Sequence, residues 1–436
     1  MSKRVFLYVQ HLLGIGHLKR AATLADAMTR AGLEVTLASG GLPVPGLVIN
    51  AARVIQLPPA TAADTRFKVL IDTAGRPIDD AWKARRRECL LDAWRGADAH
   101  ALVVELYPFG RRQMRFELLP LLEAARAGTR QTVIVCSVRD VLGGSRDPAR
   151  QEAQLDLFDR YFDHLLVHGD PALIAFGRTF GPAAKLGARL HYTGYVVDAA
   201  QPGASAPQAT DAGRDEVVVS AGGGAVGAKL MEVAMRARPL STLATRTWRL
   251  LTGVNVEPAD FAGLQALASR IGGGHVIVER SRPDFTQLLA NCALSISQGG
   301  YNTMMETLHA GARSVVVPFA AGSETEQTLR AELLQQRGLL ELVHEADLTP
   351  ESLAAAVDRA SCLARPTGSS IDLDGARKSA QRTHVARRPA GLDRAQARSG
   401  LPCSGQWRVQ KQEPARTERR KVKGAHVPAH RAKSGT

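Results

Sequence analysis

The chain is built on one rhythm. Short runs such as "VFLYV" (5–9), "ALVVEL" (101–106), "TVIVCS" (132–137), "VVVS" (217–220) and "SVVV" (314–317) are crowded with Val, Ile and Leu and show little polar alternation. Runs of that kind suit strands buried on both faces of a parallel sheet. Further strands are expected at 34–38, 54–57, 164–168, 248–251, 275–278, 293–297 and 339–343. Helix-period stretches lie between them, at 18–30, 79–94 and 112–127, then at 225–238, 258–270, 284–291, 302–310, 324–337 and 350–360. Strand alternating with helix predicts an α/β doubly wound architecture. A chain of 436 residues exceeds one ordinary core. The stretch "AAQPGASAPQATDAGR" (199–214) breaks the rhythm, and it resumes at 216. The expected organisation is a first domain at 1–198, a linker or exposed loop at 199–214, a second domain at 215–365, and a tail at 366–436.

The net charge of +14 belongs mostly to that tail. Residues 382–436 hold 14 Lys and Arg against 3 Asp and Glu, which leaves the 381 residues before them at +3. The tail is rich in Arg, Ala, Pro and Gly and poor in large apolar residues, so disorder is expected. An out-of-frame reading of a GC-rich gene would give such a composition; sequencing the gene's 3′ end tests this. With the charge confined there, no specific nucleic-acid partner is expected. No apolar run approaches the ~18 residues of a membrane span. The first apolar segment is too short for a signal peptide, so a cytoplasmic protein is expected. The five cysteines are scattered, without CxxC or metal-ligand spacing, as in a reduced compartment.

Glycines close several of the apolar runs. "VFLYVQHLLGIGHLKRA" places Gly14, Gly16 and His17 before the first helix, and "VVVSAGGGAVG" places Gly222, Gly223 and Gly224 before a later one. Such loops let backbone N–H groups approach an anion at a helix N-terminus, or simply let a strand turn tightly. A dinucleotide fingerprint is not met: Lys19 stands where the third glycine belongs, and "EVTLASG" ends without the ribose acid. A GK[ST] ending is also missing, which argues against a triphosphate P-loop. His17, at a helix start, is expected to be neutral and is the first candidate base. Glu105 and Asp140, both at strand ends, are alternatives. Arg111, Arg112 and Arg139 near them are candidates to hold an anionic acceptor, or else to make surface ion pairs. In "SQGGYNTMMETLHAGARSVVVPF" (297–319), Thr303 and Glu306 share one helix face. Spacing leaves two readings open there: a capping pair, or a hydroxyl and a carboxylate for a phosphate and a ribose diol.

This last stretch resembles the sugar-nucleotide signature of GT-B glycosyltransferases, and most closely glycosyltransferase family 28, the family of the peptidoglycan N-acetylglucosaminyltransferase. "GSETEQTLRAELLQQRGL" (322–339) and "LLGIGHLKRA" (12–21) are similar to two further segments of that family. The resemblance implies the GT-B fold: two Rossmann-like doubly wound domains facing a cleft. It implies Glu306 on the ribose hydroxyls, and Gly299, Gly300 and Thr303 with the Gly222–Gly224 loop at the diphosphate. Glu326 and Gln327 would lie at the donor sugar, and Val278 and Glu279 where backbone groups hold the base. His17 would be the acceptor-side base, with Gly14 and Gly16 in its loop. Gln298 stands where relatives often carry His, so this position cannot titrate. Members of the fold usually end in a helix that returns to the first domain, and here the basic tail begins at about that point.

The function so implied is transfer of a hexosyl group, UDP-linked, to a glycan, lipid or metabolite, with inversion. A lipid acceptor would bring the protein to the inner membrane face. No tightly bound cofactor is expected, and no DxD-like metal motif lies near the cleft loops. The alternatives are a nucleotide-sugar epimerase or hydrolase on the same fold, or a non-catalytic nucleotide-sugar or nucleic-acid binder.

Overall fold

The computed structural model describes residues 2–64, 69–143, 147–197, 211–221, 227–253, 256–319, 326–366 and 371–386. The first half holds strands β1 (Arg4–Val9), β2 (Glu34–Ser39), β3 (Arg53–Gln56), the short β4 (Thr61–Ala62) and β5 (Leu70–Ile71), then β6 (Ala101–Glu105), β7 (Val133–Arg139), β8 (His164–His168) and β9 (Leu190–Tyr192). Its helices are α1 (Gly16–Arg30), α2 (Asp80–Ala97), α3 (Arg115–Ala127) and α4 (Pro148–Tyr161). The second half holds β10 (Val217–Ser220), β11 (Trp248–Thr252), β12 (Val276–Arg280), β13 (Leu294–Ser297), β14 (Ser314–Val316) and β15 (Glu341–Leu342). Its helices are α5 (Ala228–Ala237), α6 (Pro258–Ile271), α7 (Phe285–Asn291), α8 (Tyr301–His309), α9 (Glu326–Gln336) and α10 (Pro350–Cys362), and α11 (Gly375–Val385) follows.

Two parallel sheets result, with strand orders β3-β2-β1-β6-β7-β8-β9 and β12-β11-β10-β13-β14-β15. Both are doubly wound, as the uninterrupted apolar runs require. Phe6, Leu7, Tyr8, Val103, Val104, Val217, Val218 and Val219 are all fully buried, whichever face they point to. Each sheet reverses its winding once. In the first, β1 lies between β2 and β6, with Val5 paired to Val35 and Ala101. In the second, β10 lies between β11 and β13, with Val217 paired to Trp248 and Leu294. A crevice opens at the carboxyl end of the strands at each reversal, where open α/β sheets take ligands. The loops that follow β1, β6, β10 and β13 are the glycine-bearing and charged segments singled out above.

The end of the fold departs from the sequence expectation. The sequence predicts an unstructured tail from 366, yet α11 forms beyond it and lies against α1, with Ala380 in the apolar cluster that α1 builds with β1 and β2. Its buried residues are Gly375, Ser379, Ala380 and Thr383. Small side chains let this helix pack closely without an apolar stripe, so the sequence of 371–381 begins like a helix and then loses its pattern. A helix that returns to the first half is therefore present where the sequence reads as tail. Residues 387–436 and most of the 199–214 stretch lie outside the described residues. All the described residues belong to one compact unit.

Candidate active site between the two sheets

The two crevices face each other through α1 and α8. Asn302 Nδ2 donates to the Gly16 carbonyl at 3.2 Å, and Lys19 Nζ lies 2.5 Å from Glu306 Oε1. Neither helix has a side-chain N-cap: α1 is preceded by Ile15 and α8 by Gly300. The capping alternative for Thr303 and Glu306 is thus not realised. Gly299 sits at φ +70°, and a Cβ there would stand 2.6 Å from Val316 Cγ1. Only glycine fits both that conformation and that space.

On the first half, the candidate bases form one cluster. His17 Nδ1 is 2.7 Å from Glu105 Oε1, and the Arg20 guanidinium pairs with the same carboxylate oxygen. Burial lowers the His17 pKa to about 3, overcoming the attraction of Glu105, so the ring is neutral near pH 7. Burial works against the Glu105 carboxylate, yet His17 and Arg20 hold its pKa below the ordinary range. With Nδ1–H donated to Glu105, His17 Nε2 is the nitrogen free to accept a proton. Arg111 donates from Nε to the Gln10 carbonyl at 2.9 Å and has no carboxylate within ion-pair range among the described residues. Its backbone is left-handed, at φ +58°, and burial lowers its pKa. Arg112, the next residue, is exposed.

Asp140 is not placed to act as a base. It is fully buried, accepts from Arg330 Nε and Nη2 at 3.0 and 2.7 Å, and accepts from Tyr195 Oη at 2.9 Å. Burial opposes its charge, but Arg330 outweighs burial and lowers the pKa. Arg139, expected near an acceptor, pairs instead with Glu326 at the start of α9. Tyr301 completes this seam: its hydroxyl donates to the His168 carbonyl at 3.0 Å and accepts from Val196 N at 3.1 Å. The guanidinium carbons of Arg20 and Arg330 lie over its ring, 5.5 and 5.3 Å from the centroid. Arg20 Nε, Glu105 Oε2, Arg139 Nε, Glu326 Oε2 and Arg330 Nη1 are buried there without a hydrogen-bond partner among the described residues. Each such atom costs roughly 1–3 kcal/mol, so the seam is a polar contact with hydrogen-bonding capacity to spare.

The other candidates are spread along the carboxyl edge of the second sheet. Val278 and Glu279 lie on the edge strand β12, where Glu279 pairs with Arg249 at 2.9 Å. Gln327 Oε1 accepts from Phe319 N at 3.2 Å. Gly14 has open space about it. Gly222, Gly223 and Gly224 lie outside the described residues. The flanking Gly227, at φ +132°, is close enough to Gln298 that a Cβ there would stand 3.5 Å from Gln298 Oε1. Among the described residues, no group of three or more His, Cys, Asp and Glu could hold a metal ion. No helix among them is long and apolar enough to cross a membrane.

Lys19, Arg20, Asn302 and Arg330 complete the seam, and the sequence does not mark them as site residues. Arg20 and Arg330 sit in helices among other charges, and nothing in the spacing shows them as buried. Lys19 stands out in the sequence only as the residue that breaks a dinucleotide fingerprint.

Residues 218–362 match the glycosyltransferase family 28 C-terminal domain. A UDP-N-acetylglucosamine–N-acetylmuramyl-(pentapeptide) pyrophosphoryl-undecaprenol N-acetylglucosamine transferase of Geobacillus kaustophilus (strain HTA426) is 30% identical over 144 residues, which are 33% of this chain and 38% of that protein. A transferase of the same name from Cupriavidus necator is 35% identical over 74 residues, spanning 17% of this chain and 21% of its own. The chain thus spans well under half the length of the curated relatives it matches. Among solved structures, a UDP-glucosyltransferase from Polygonum tinctorium superposes with a TM-score of 0.54 at 13% identity, over 88% of this chain and 94% of that one. The fold is that of the GT-B glycosyltransferases. Its second half is similar to the glycosyltransferase family 28 C-terminal domain over residues 218–362.

Proposed function

We propose that this protein is a glycosyltransferase. It moves a hexosyl group from a nucleoside-diphosphate sugar, UDP-linked, to an acceptor hydroxyl, with inversion and without a metal ion. The observation that carries the reading is the apposition of Glu306, inside the segment that matches family 28, with the His17 loop of the other sheet. UDP is favoured by the names of the relatives, which use UDP-N-acetylglucosamine.

In this reading Glu306 accepts hydrogen bonds from the ribose hydroxyls. Gly299, Gly300 and Thr303 face the diphosphate at the uncapped start of α8. Val278 and Glu279 lie at the base and Gln327 at the sugar. Glu326 would reach the sugar only on releasing Arg139. His17 Nε2 takes the proton of the acceptor hydroxyl while Glu105 fixes the ring through Nδ1. The acceptor oxygen forms a bond to the anomeric carbon. The bond from that carbon to the β-phosphate oxygen breaks, and the nucleoside diphosphate leaves with the electron pair. Arg111, without a carboxylate of its own, suits an acceptor with an anionic group beside the reacting hydroxyl.

A mass-spectrometric donor screen against cell extract tests the proposal. Nucleoside diphosphate released together with a product one hexosyl unit heavier is the expected result. Sugar isomerised or hydrolysed without an acceptor would replace it with an epimerase or hydrolase. The fold alone does not separate these, since a putative UDP-N-acetylglucosamine 2-epimerase from Listeria monocytogenes superposes over 89% of this chain and 98% of its own, with a TM-score of 0.53 at 15% identity.

A further inference from the structure

The first two residues of α8 hold the other half of the chain. Tyr301 is 4% exposed; its hydroxyl donates to the His168 carbonyl at the end of β8 and accepts from Val196 N, where the chain leaves the first half. Val196 also bridges to Asp374, just before α11. His168 is itself pinned, with Nε2 2.7 Å from Ser137 Oγ and Nδ1 3.0 Å from Thr193 Oγ1. Ser137 is paired in register with Glu105. The anchor of Tyr301 thus lies two strands, about 10 Å, from the carboxylate that orients His17. Asn302 adds the contact to Gly16 at the start of α1. At about 100° per residue, Thr303 and Glu306 lie on the far side of α8 from Tyr301.

We infer that Tyr301 is a positioning residue, which sets α8 against the first sheet so that a donor held on the opposite face of the helix meets His17. The inference rests on the reading of Glu306 as the ribose ligand and His17 as the base. An apolar side chain at 301 would fill the same space, but only a hydroxyl both donates to one backbone group and accepts from another. The guanidiniums of Arg20 and Arg330 hold the ring itself, so the hydroxyl adds direction to a contact that is already packed. Its part is register rather than chemistry, because it is buried away from the donor face and engaged on both sides. A small shift of α8 costs much in transfer, since a misplacement of about 1 Å lowers the rate by about 10²-fold. It costs little in nucleotide affinity, because the proposed nucleotide contacts all lie in the second half.

Tyr301→Phe, made in the full chain, removes the hydroxyl and leaves the ring. Its affinity for UDP, by calorimetry, should stay within about twofold of wild type. The saturated rate of UDP release from a mixture of UDP-hexoses, with cell extract as the acceptor source, should fall by about 10–100-fold. An unchanged rate, whatever the thermal midpoint, would make the hydroxyl structural only and overturn the inference. A loss of UDP affinity as large as the loss of rate would overturn it too, by placing Tyr301 in donor binding. Should Tyr301→Phe fail to fold, Asn302→Ala, which removes the neighbouring contact on Gly16, should show the same split between rate and affinity. Glu306→Ala tests the underlying reading separately. If that variant binds UDP as tightly as wild type, or if the wild-type chain releases no UDP, the site reading falls and the role of Tyr301 falls with it.

Discussion

His17 and Glu306 stand on opposite sides of one seam, and they make different demands on it. His17 must stay neutral to accept a proton, and burial, helped by the Arg111 and Arg139 guanidiniums, secures this by pulling its pKa from 6.5 to about 3. The kcat/KM of transfer should therefore stay flat as pH falls from 8 towards 5, and an inflection near 6.5 would contradict the assignment. His17→Ala is expected to lower kcat by about 10²–10⁴-fold, the usual scale for a general base, while nucleotide affinity is kept. Equal loss of both would point to a binding role. The same burial makes the fold acid-sensitive. His17 and His168 both have folded pKa values of about 3 against 6.5, so below 6.5 the unfolded chain takes up protons first. Their contribution to stability is present above 6.5 and is lost as pH falls towards 3, and that of Asp140, also lowered, is lost in the same direction at lower pH. The urea midpoint should be lower at pH 5 than at pH 7; a rise on acidification would contradict this. Of these residues, His17, Glu105 and Glu306 are visible in the sequence because they close strands or follow glycines. Lys19, Arg20 and Arg330 are not, because a cation within a helix looks the same whether it meets solvent or a partner from the other half of the chain.

Among the elements, strands are the easiest to see. The runs at 5–9, 101–106, 132–137, 217–220 and 314–317 are all central strands, since a strand covered on both faces announces itself without any period. Elements that bury little apolar surface escape the sequence pattern. Helix α4 turns only Gln151, Leu155, Phe158 and Tyr161 inward, one narrow line. Strand β9 is three half-buried residues at the sheet edge. Helix α11 buries glycine, serine, alanine and threonine. Close approach is what holds α11, and Gly375 shows it: a Cβ there would stand 2.3 Å from the Gly194 carbonyl oxygen and 2.6 Å from the Tyr195 carbonyl. Gly375→Ala should cost about 1–3 kcal/mol, the range for overpacking against backbone. Denaturant unfolding measures this. No loss of stability would mean that α11 is not docked as described.

For the molecule as a whole, the seam decides whether two doubly wound sheets act as one site. Arg330→Met would leave Asp140 charged and buried without its partner, at a cost of about 3–5 kcal/mol. Unfolding of that variant should be less cooperative than wild type, because this ion pair ties one half to the other. The basic charge lies elsewhere. A chain ending at Ala386 should keep nucleotide binding and lose affinity for polyanions, and persistent polyanion binding would place a basic surface on the folded body instead. The architecture is readable from rhythm, and the second half from its likeness to family 28. How the halves meet is not, because it depends on single contacts between residues more than a hundred positions apart, such as Lys19 with Glu306 and Asp140 with Arg330. The most direct test of the account is calorimetric titration of UDP into the wild-type chain and into Glu306→Ala. The wild type should bind, and the variant should bind at least about tenfold more weakly, as expected on losing hydrogen bonds to a charged acceptor, with an unchanged thermal midpoint. Equal affinity of the two would contradict the placement of the ribose on Glu306.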